Sequence, residues 1–320
     1  MIITRRRSAK LPAAARVDWR DFFTPEEWAR LNRRSSWRGL ALVAHCWIVI
    51  AAAVALGVLI PWLIPLSVVI IGARQLGLAI LMHEAAHGAL HPNRAVNDAV
   101  GQWLCAAPPG ANLASYRPYH LGHHRYAQQA EDPDLVLSAP FPVSGASLRR
   151  KMIRDLTGQT FFKQRVSLLL TAFGRRRADQ PEAIVSGQAA KDAGPFLLVN
   201  VVLLAAAILG GVWWAYFALW LLPMATWFPL VTRLRNIAEH ACTPDATDPL
   251  RHARTTRANW LERALIAPYH VHHHCEHHMF MWLPCWRLPE AHRLLTAKGH
   301  TARMEVQTGY WSVLRTAASA

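Results

Sequence analysis

The sequence predicts an all-α membrane protein: four transmembrane helices in two hairpins, with a cytoplasmic, mostly helical cap. Residues 39–73 and 193–232 contain no Asp, Glu, Lys or Arg, 35 and 40 positions in a row, so the 55 formal charges all fall in the other 245 of 320 residues. As helix these stretches would be ~52 and ~60 Å long, enough for two crossings each of a hydrocarbon core about 30 Å thick. A helix buried in a soluble core is expected to be shorter. The mean hydropathy of +0.11 is too low for a protein that is mostly membrane, so a large polar part remains.

The elements follow in chain order. Residues 1–16 read as a basic, irregular tail, and Thr24-Pro25-Glu26-Glu27 as a capping box with Pro at the first helical position. Phe22, Phe23, Trp28 and Leu31 would form the apolar side of a short helix at the membrane interface. Pro61 and Pro65 break the first charge-free stretch and Gly210-Gly211 the second, which predicts helices at 39–59, 63–88, 195–210 and 212–235. Between 149 and 177, apolar residues from Met152 to Leu170 lie between Arg149-Arg150-Lys151 and Arg175-Arg176-Arg177, a pattern suited to the headgroup layer. Residues 178–192 read as a linker. Three regions result: a basic N-terminus with an interfacial helix (1–38), a membrane-embedded domain (39–295) and a cytoplasmic tail (296–320).

Net charge is +15, with ten basic residues among the first 38 and none at either proposed hairpin tip. The positive-inside rule then puts the N-terminus, residues 89–192 and the C-terminal tail in the cytoplasm. The same charge is explained by topology and anionic headgroups rather than by nucleic acid. No cleavable leader is expected, because the first apolar run begins after residue 38. The five cysteines form no C-x-x-C pair, and disulfides are not expected in a reducing compartment. Cys275 lies among histidines but reads as a bystander.

Histidine spacing carries the functional signal. His83 and His87 form H-x-x-x-H, so on a helix they share one face. His120, His123 and His124 form H-x-x-H-H. His240 follows Asn236 by four residues, and the run from Tyr269 to His278 contains a further H-x-x-H-H. Imidazole is a neutral ligand suited to iron, zinc and copper. Nine such residues exceed what one ion can use, so two metals are expected. A scavenging tract would be contiguous, and these clusters are far apart in sequence.

These motifs resemble those of the integral-membrane fatty acid desaturase and hydroxylase superfamily, which holds two irons with three histidine boxes. His83-Glu84-Ala85-Ala86-His87, His120-Leu121-Gly122-His123-His124 and His274-Cys275-Glu276-His277-His278 match the boxes, and Met281-Trp282-Leu283-Pro284 with Pro289 is also typical. The likeness runs from about residue 39 to 295. It implies His83, His87, His120, His123, His124, His240, His274, His277 and His278 as catalytic iron ligands, with Asn236 completing the shell through water. His270, His273 and His274 also fit the third box. The register 274/277/278 is preferred because an acidic residue precedes the final pair. His45 is expected to pack or hydrogen-bond, His91 to lie at the surface, and His252, His292 and His300 to be solvated. Glu84, Glu239 and Glu276 read equally as acceptors for ligand imidazoles or as solvated charges. Asp132-Pro133-Asp134 reads first as a turn.

The resemblance further implies O2 as co-substrate, a lipid substrate entering from a bacterial inner membrane, and a lipid desaturase reaction. A hydroxylase or ketolase acting on a fatty chain, sphingoid base or carotenoid is the alternative. Electrons must come from outside, since no flavin or nicotinamide fingerprint is present; an acidic ferredoxin or b-type cytochrome suits the basic face. A metal transporter would need polar groups near the bilayer midplane, and the spans are bare except for His45 and Arg74.

Overall fold

The computed structural model describes residues 16–172 and 186–320. The basic residues Arg5, Arg6, Arg7 and Lys10, the Arg175-Arg176-Arg177 flank and much of the 178–192 segment lie outside the described residues. What is described is mostly helical. α1 (Pro25–Leu31) starts as the sequence requires: the Thr24 side chain accepts from Glu27 N–H while the Glu27 carboxylate accepts from Thr24 N–H. Long apolar helices follow as α2 (Arg38–Leu59) and α3 (Ile64–Ala86), joined by a short turn at Pro61–Leu63. Farther along, α7 (Ser186–Leu209) and α8 (Trp213–His240) are joined at Gly210-Gly211, where Gly211 has a φ of +72°, the left-handed backbone that favours glycine.

Among the described residues, three helices are long and apolar enough to cross a membrane: Arg38–Leu59, Pro61–Ala86 and Trp213–His240. The fourth expected span is shorter in its apolar part, Ala193–Leu209. Outward-facing Ile48, Leu59, Trp62, Val201 and Leu209 are exposed, a surface suited to lipid rather than water. Inside, Cys46 and Ile50 of α2, Leu78 and Leu81 of α3, and Leu219 and Met224 of α8 make one core. The apolar helices are less bare than expected. Gln75 Nε2 donates to the Trp220 carbonyl at 2.9 Å, and Asn200 Oδ1 accepts from Trp220 Nε1 at 2.8 Å. Both donors, Gln75 Nε2 and Trp220 Nε1, find acceptors within the protein, as lipid surroundings demand.

Between the hairpins lie α4 (Leu113–Tyr126), α5 (Gly145–Leu156) and α6 (Gln159–Ala172). The single interfacial segment read from 149–177 is thus two helices, broken at Gly158 with φ +78°. After α8 come α9 (His274–Met279), α10 (Leu288–Ala297) and α11 (Gly309–Ala317). Two short strands that an all-helical reading did not anticipate, β1 (Thr255–Arg257) and β2 (Val306–Thr308), pair in parallel with Thr256 opposite Gln307. They draw the C-terminal residues into the core, where Tyr310, Val313 and Ala317 of α11 pack with Val231 and Ile237 of α8. Phe22, Phe23 and Leu31 pack with Phe280, Leu283 and Leu295, tying the N-terminal segment to α9 and α10.

Candidate metal centre

Four helix ends meet where the apolar helices stop. α3 contributes His83 from its last turn and His87 from its C-cap; α4 contributes His120, His123 and His124. Its start is fixed by Asn112, whose Oδ1 accepts from Ala114 N–H at 2.9 Å. His240 ends α8, and α9 carries His274, His277 and His278. A glycine brings neighbouring backbone close: a Cβ on Gly101 would collide with the Cβ of Ala85, two residues from His83.

The structure sorts nine imidazoles into two groups. His83, His87, His120, His124 and His277 form one, and His123, His240, His274 and His278 the other; within each, the ligand nitrogens lie within 4.8 Å of one another. In the first group Nε2 of His120 is 2.9 Å from that of His87 and 3.0 Å from that of His124, which is 3.0 Å from that of His277. In the second, His274 to His240 is 2.9 Å, His123 to His240 3.1 Å and His278 to His274 3.1 Å. Nitrogens bound at about 2.0–2.1 Å to one transition-metal ion are separated by about this much.

Tautomers sharpen the point. His123 Nδ1 lies 2.8 Å from Asp132 Oδ1, and His240 Nδ1 lies 3.1 Å from the His252 carbonyl, which can only accept. In neutral rings both Nδ1 atoms therefore carry the proton, and both Nε2 atoms are lone pairs. Two lone pairs facing each other at 3.1 Å need a shared cation. His274 Nδ1 lies 3.3 Å from Glu239 Oε1 without a hydrogen bond to it, and that carboxylate accepts from Arg235 Nε at 2.6 Å. In the first group, both nitrogens of His83 and the Nδ1 atoms of His87, His120, His124 and His277 are buried without a hydrogen-bond partner. Burial pushes His87 down to about 3 and holds His120, His124, His274, His277 and His278 well below the usual imidazole value. These rings stay neutral near pH 7, the form that binds metal. The donor set fits a pair of metal ions.

Other sequence-marked residues take distinct places. Asn236 lines a small cleft with Tyr116, His123, His240 and His274. Of the two registers for the third box, His274, His277 and His278 fall in the two groups, whereas His270 and His273 lie outside them. His45 Nδ1 pairs with the Tyr269 hydroxyl at 3.2 Å, and His91 Nδ1 accepts from Asn93 N–H at 3.0 Å. Cys275 is buried with Sγ 3.2 Å from the Leu250 carbonyl, in neither group. Glu84 accepts from Cys285 N–H at 2.8 Å. Glu276 faces away from both groups, accepting from the Thr255 hydroxyl and meeting His292 Nδ1.

Of three histidines expected to be solvated one is not, because the chain after α8 folds back under the centre; His292 and His300 keep partial exposure. His252 is buried, its ring 5.4 Å from that of His278, with neither nitrogen hydrogen-bonded. Burial brings it down to about 4. His292 pairs with Glu276, and the His300 ring sits 4.8 Å from that of Phe22. Sequence spacing missed His252, which stands alone with no i+3 or i+4 histidine. Asp132 is more than a turn residue, since it holds His123.

Apolar helices ending at two imidazole groups define an integral-membrane metalloenzyme class. The chain belongs to the fatty acid desaturase family, whose model matches residues 60–309. It is 27% identical over 263 residues to dihydrorhizobitoxine desaturase of Bradyrhizobium elkanii, covering 80% of this chain and 74% of that protein. It is 26% identical to the beta-carotene ketolases of two Paracoccus strains: over 239 residues for strain N81106 / MBIC 01143 (71% of this chain, 77% of that one) and over 278 for strain PC1 (79% and 90%). The protein is thus an oxidoreductase and a lipid-modifying oxygenase of this superfamily, in a membrane setting.

Proposed function

We propose that the protein introduces a double bond into a fatty acyl or related lipid chain, using O2 and two irons. The observation that carries this reading is the pairing of two imidazole groups with the ends of apolar helices. His83, His87, His120, His124 and His277 would hold one iron; His123, His240, His274 and His278 the other, with Asn236 reaching the second through water. When bound, the irons supply the O2-dependent oxidation of an unactivated methylene, for which side chains have no redox chemistry. Asp132 and the His252 carbonyl keep Nδ1 of His123 and His240 engaged, so Nε2 of each points bare into the centre.

In this reading α2, α3, α7 and α8 are four crossings in two hairpins, with the centre on the cytoplasmic side of a bacterial inner membrane. Basic residues flanking the apolar helices support that orientation. The net charge of +15 suits an acidic one-electron carrier, a ferredoxin or b-type cytochrome. A second reading, hydroxylation or ketolation, is favoured by the two carotenoid ketolase relatives. Expression in a bacterial host lacking such enzymes, with and without a carotenoid pathway, separates them by mass spectrometry. A lipid two hydrogens lighter supports desaturation, and an oxygenated product supports the second reading. With His123→Ala or His277→Ala the product is expected to vanish while the protein stays in the membrane; retained activity in both variants overturns the iron assignment.

A further inference from the structure

We propose that His273, Glu276 and His292 form a further metal site, separate from the two imidazole groups, which takes one zinc ion and ties α9 to α10. One ring nitrogen of each histidine and one carboxylate oxygen lie within 4.8 Å of one another. The site accounts for His273, a residue that the 274/277/278 register of the third box leaves unused and that lies outside both imidazole groups.

The Glu276 side chain is fully buried, with Oε1 meeting His292 Nδ1 and Oε2 accepting from the Thr255 hydroxyl. Its ion-pair partners among the described residues are histidines, with no lysine or arginine. An ion pair with His292 alone explains two of the three side chains. It leaves out His273, whose Nδ1 is buried without a hydrogen-bond partner. That nitrogen lies 4.0 Å from Glu276 Oε2. The separation is too long for a hydrogen bond but within the span of two zinc–ligand bonds of about 2.0–2.2 Å each. A cation between the two atoms satisfies both the stranded nitrogen and the buried carboxylate.

The donors specify the ion. Two imidazoles and one carboxylate are a zinc-binding set, three protein ligands that leave a fourth position for water. The His273 and His292 side chains are 12% and 16% exposed, so an ion and its water can enter from solvent. The backbone fixes the ligands from three elements. His273 immediately precedes α9, bridges to Thr255 of β1 and donates its N–H to the His270 carbonyl at 3.0 Å. Glu276 lies on α9 and His292 on α10. Because α9 also carries His274, His277 and His278, an ion here braces the third histidine box from the side away from both imidazole groups.

Iron-loaded protein in detergent, titrated anaerobically with Zn2+ and desalted, tests the site by inductively coupled plasma mass spectrometry of both metals. One zinc per chain is expected to be retained with the iron content unchanged, and the melting temperature to rise, since an ion that binds the folded chain stabilises it. His273→Ala and His292→Gln are each expected to abolish zinc retention and the rise while keeping the iron. No retained zinc, zinc taken up only in exchange for iron, or full retention by both variants overturns the proposal. A measurement on the unaltered protein needs no variant to fold. The zinc K-edge X-ray absorption spectrum is expected to show a nitrogen and oxygen shell at about 2.0–2.2 Å with imidazole scattering; a sulfur shell near about 2.3 Å places the ion on a cysteine and overturns the assignment.

Discussion

Asp132 holds His123 from behind. Its Oδ1 lies 2.8 Å from His123 Nδ1 and also accepts from Asp134 N–H, while Oδ2 accepts from Gln128 N–H at 2.8 Å. The carboxylate is therefore fixed by the turn that carries it and in turn fixes the imidazole. Replacing Asp132 by Asn puts an amide where the acceptor stood and weakens the preference for a bare Nε2. Partners of this kind are worth about 10–100-fold in metal affinity. The expected outcome for Asp132→Asn is a loss of that size in ferrous-ion affinity, measured by competition with a chromophoric chelator, with little change in the circular dichroism spectrum.

Cys275 gives the opposite expectation. It sits between ligand positions in sequence, yet its Sγ faces the Leu250 carbonyl at 3.2 Å. Burial, with Glu276 next to it, pushes its thiol well above the usual value, so no thiolate is available near neutral pH. Cys275→Ala is expected to leave metal content unchanged, measured by inductively coupled plasma mass spectrometry, and to cost about 1 kcal/mol of stability. A loss of one metal per chain would make the thiol a ligand.

The sequence was most legible where structure is local. The i, i+4 spacing of His83 and His87 describes one helix face before any tertiary contact forms, and the Thr24–Glu27 capping box is a four-residue event. His252 was opaque for the opposite reason: its carbonyl reaches His240 only because the chain reverses after α8, and no periodicity encodes a reversal. The β1–β2 pair joins residues some 50 positions apart, each strand only 3 residues long, too short for an alternating pattern to register. Gly158 did carry a signal, a glycine between Thr157 and Gln159, but the break it makes depends on its left-handed backbone.

Asp155 joins α5 and α6 to the apolar bundle. It is fully buried in α5 and accepts from Nε and Nη2 of Arg233 in α8 and from the Thr160 hydroxyl. Removing one partner of such a pair leaves the other charge without compensation, a cost of several kcal/mol when both are buried. Arg233 keeps 26% of its side chain exposed, which lowers the penalty. Asp155→Ala is expected to destabilise the protein by about 2–3 kcal/mol, measured as a lower melting temperature in detergent. Arg233→Met, which removes the other charge, is expected to recover part of that loss in the Asp155→Ala background.

Stability should depend on pH through the buried imidazoles. Burial brings His87 down to about 3 and His252 to about 4, against an unfolded value near 6.5. Below about 6.5 the unfolded chain binds protons that the folded chain refuses, so acid favours unfolding. The contribution of each group is complete above about 6.5 and is lost progressively as the pH falls toward its folded value. At pH 5 the difference amounts to about 2 kcal/mol for each of these two groups. In chelator-treated protein in detergent, the part of the melting temperature that these two rings supply is therefore expected to be constant from about pH 8 to 7 and to be lost between about pH 6.5 and 4. His252→Gln removes one titrating ring, so its melting temperature should fall less steeply over that interval than that of the unaltered chain. A slope unaffected by the substitution would mean that His252 is not held neutral in the folded protein.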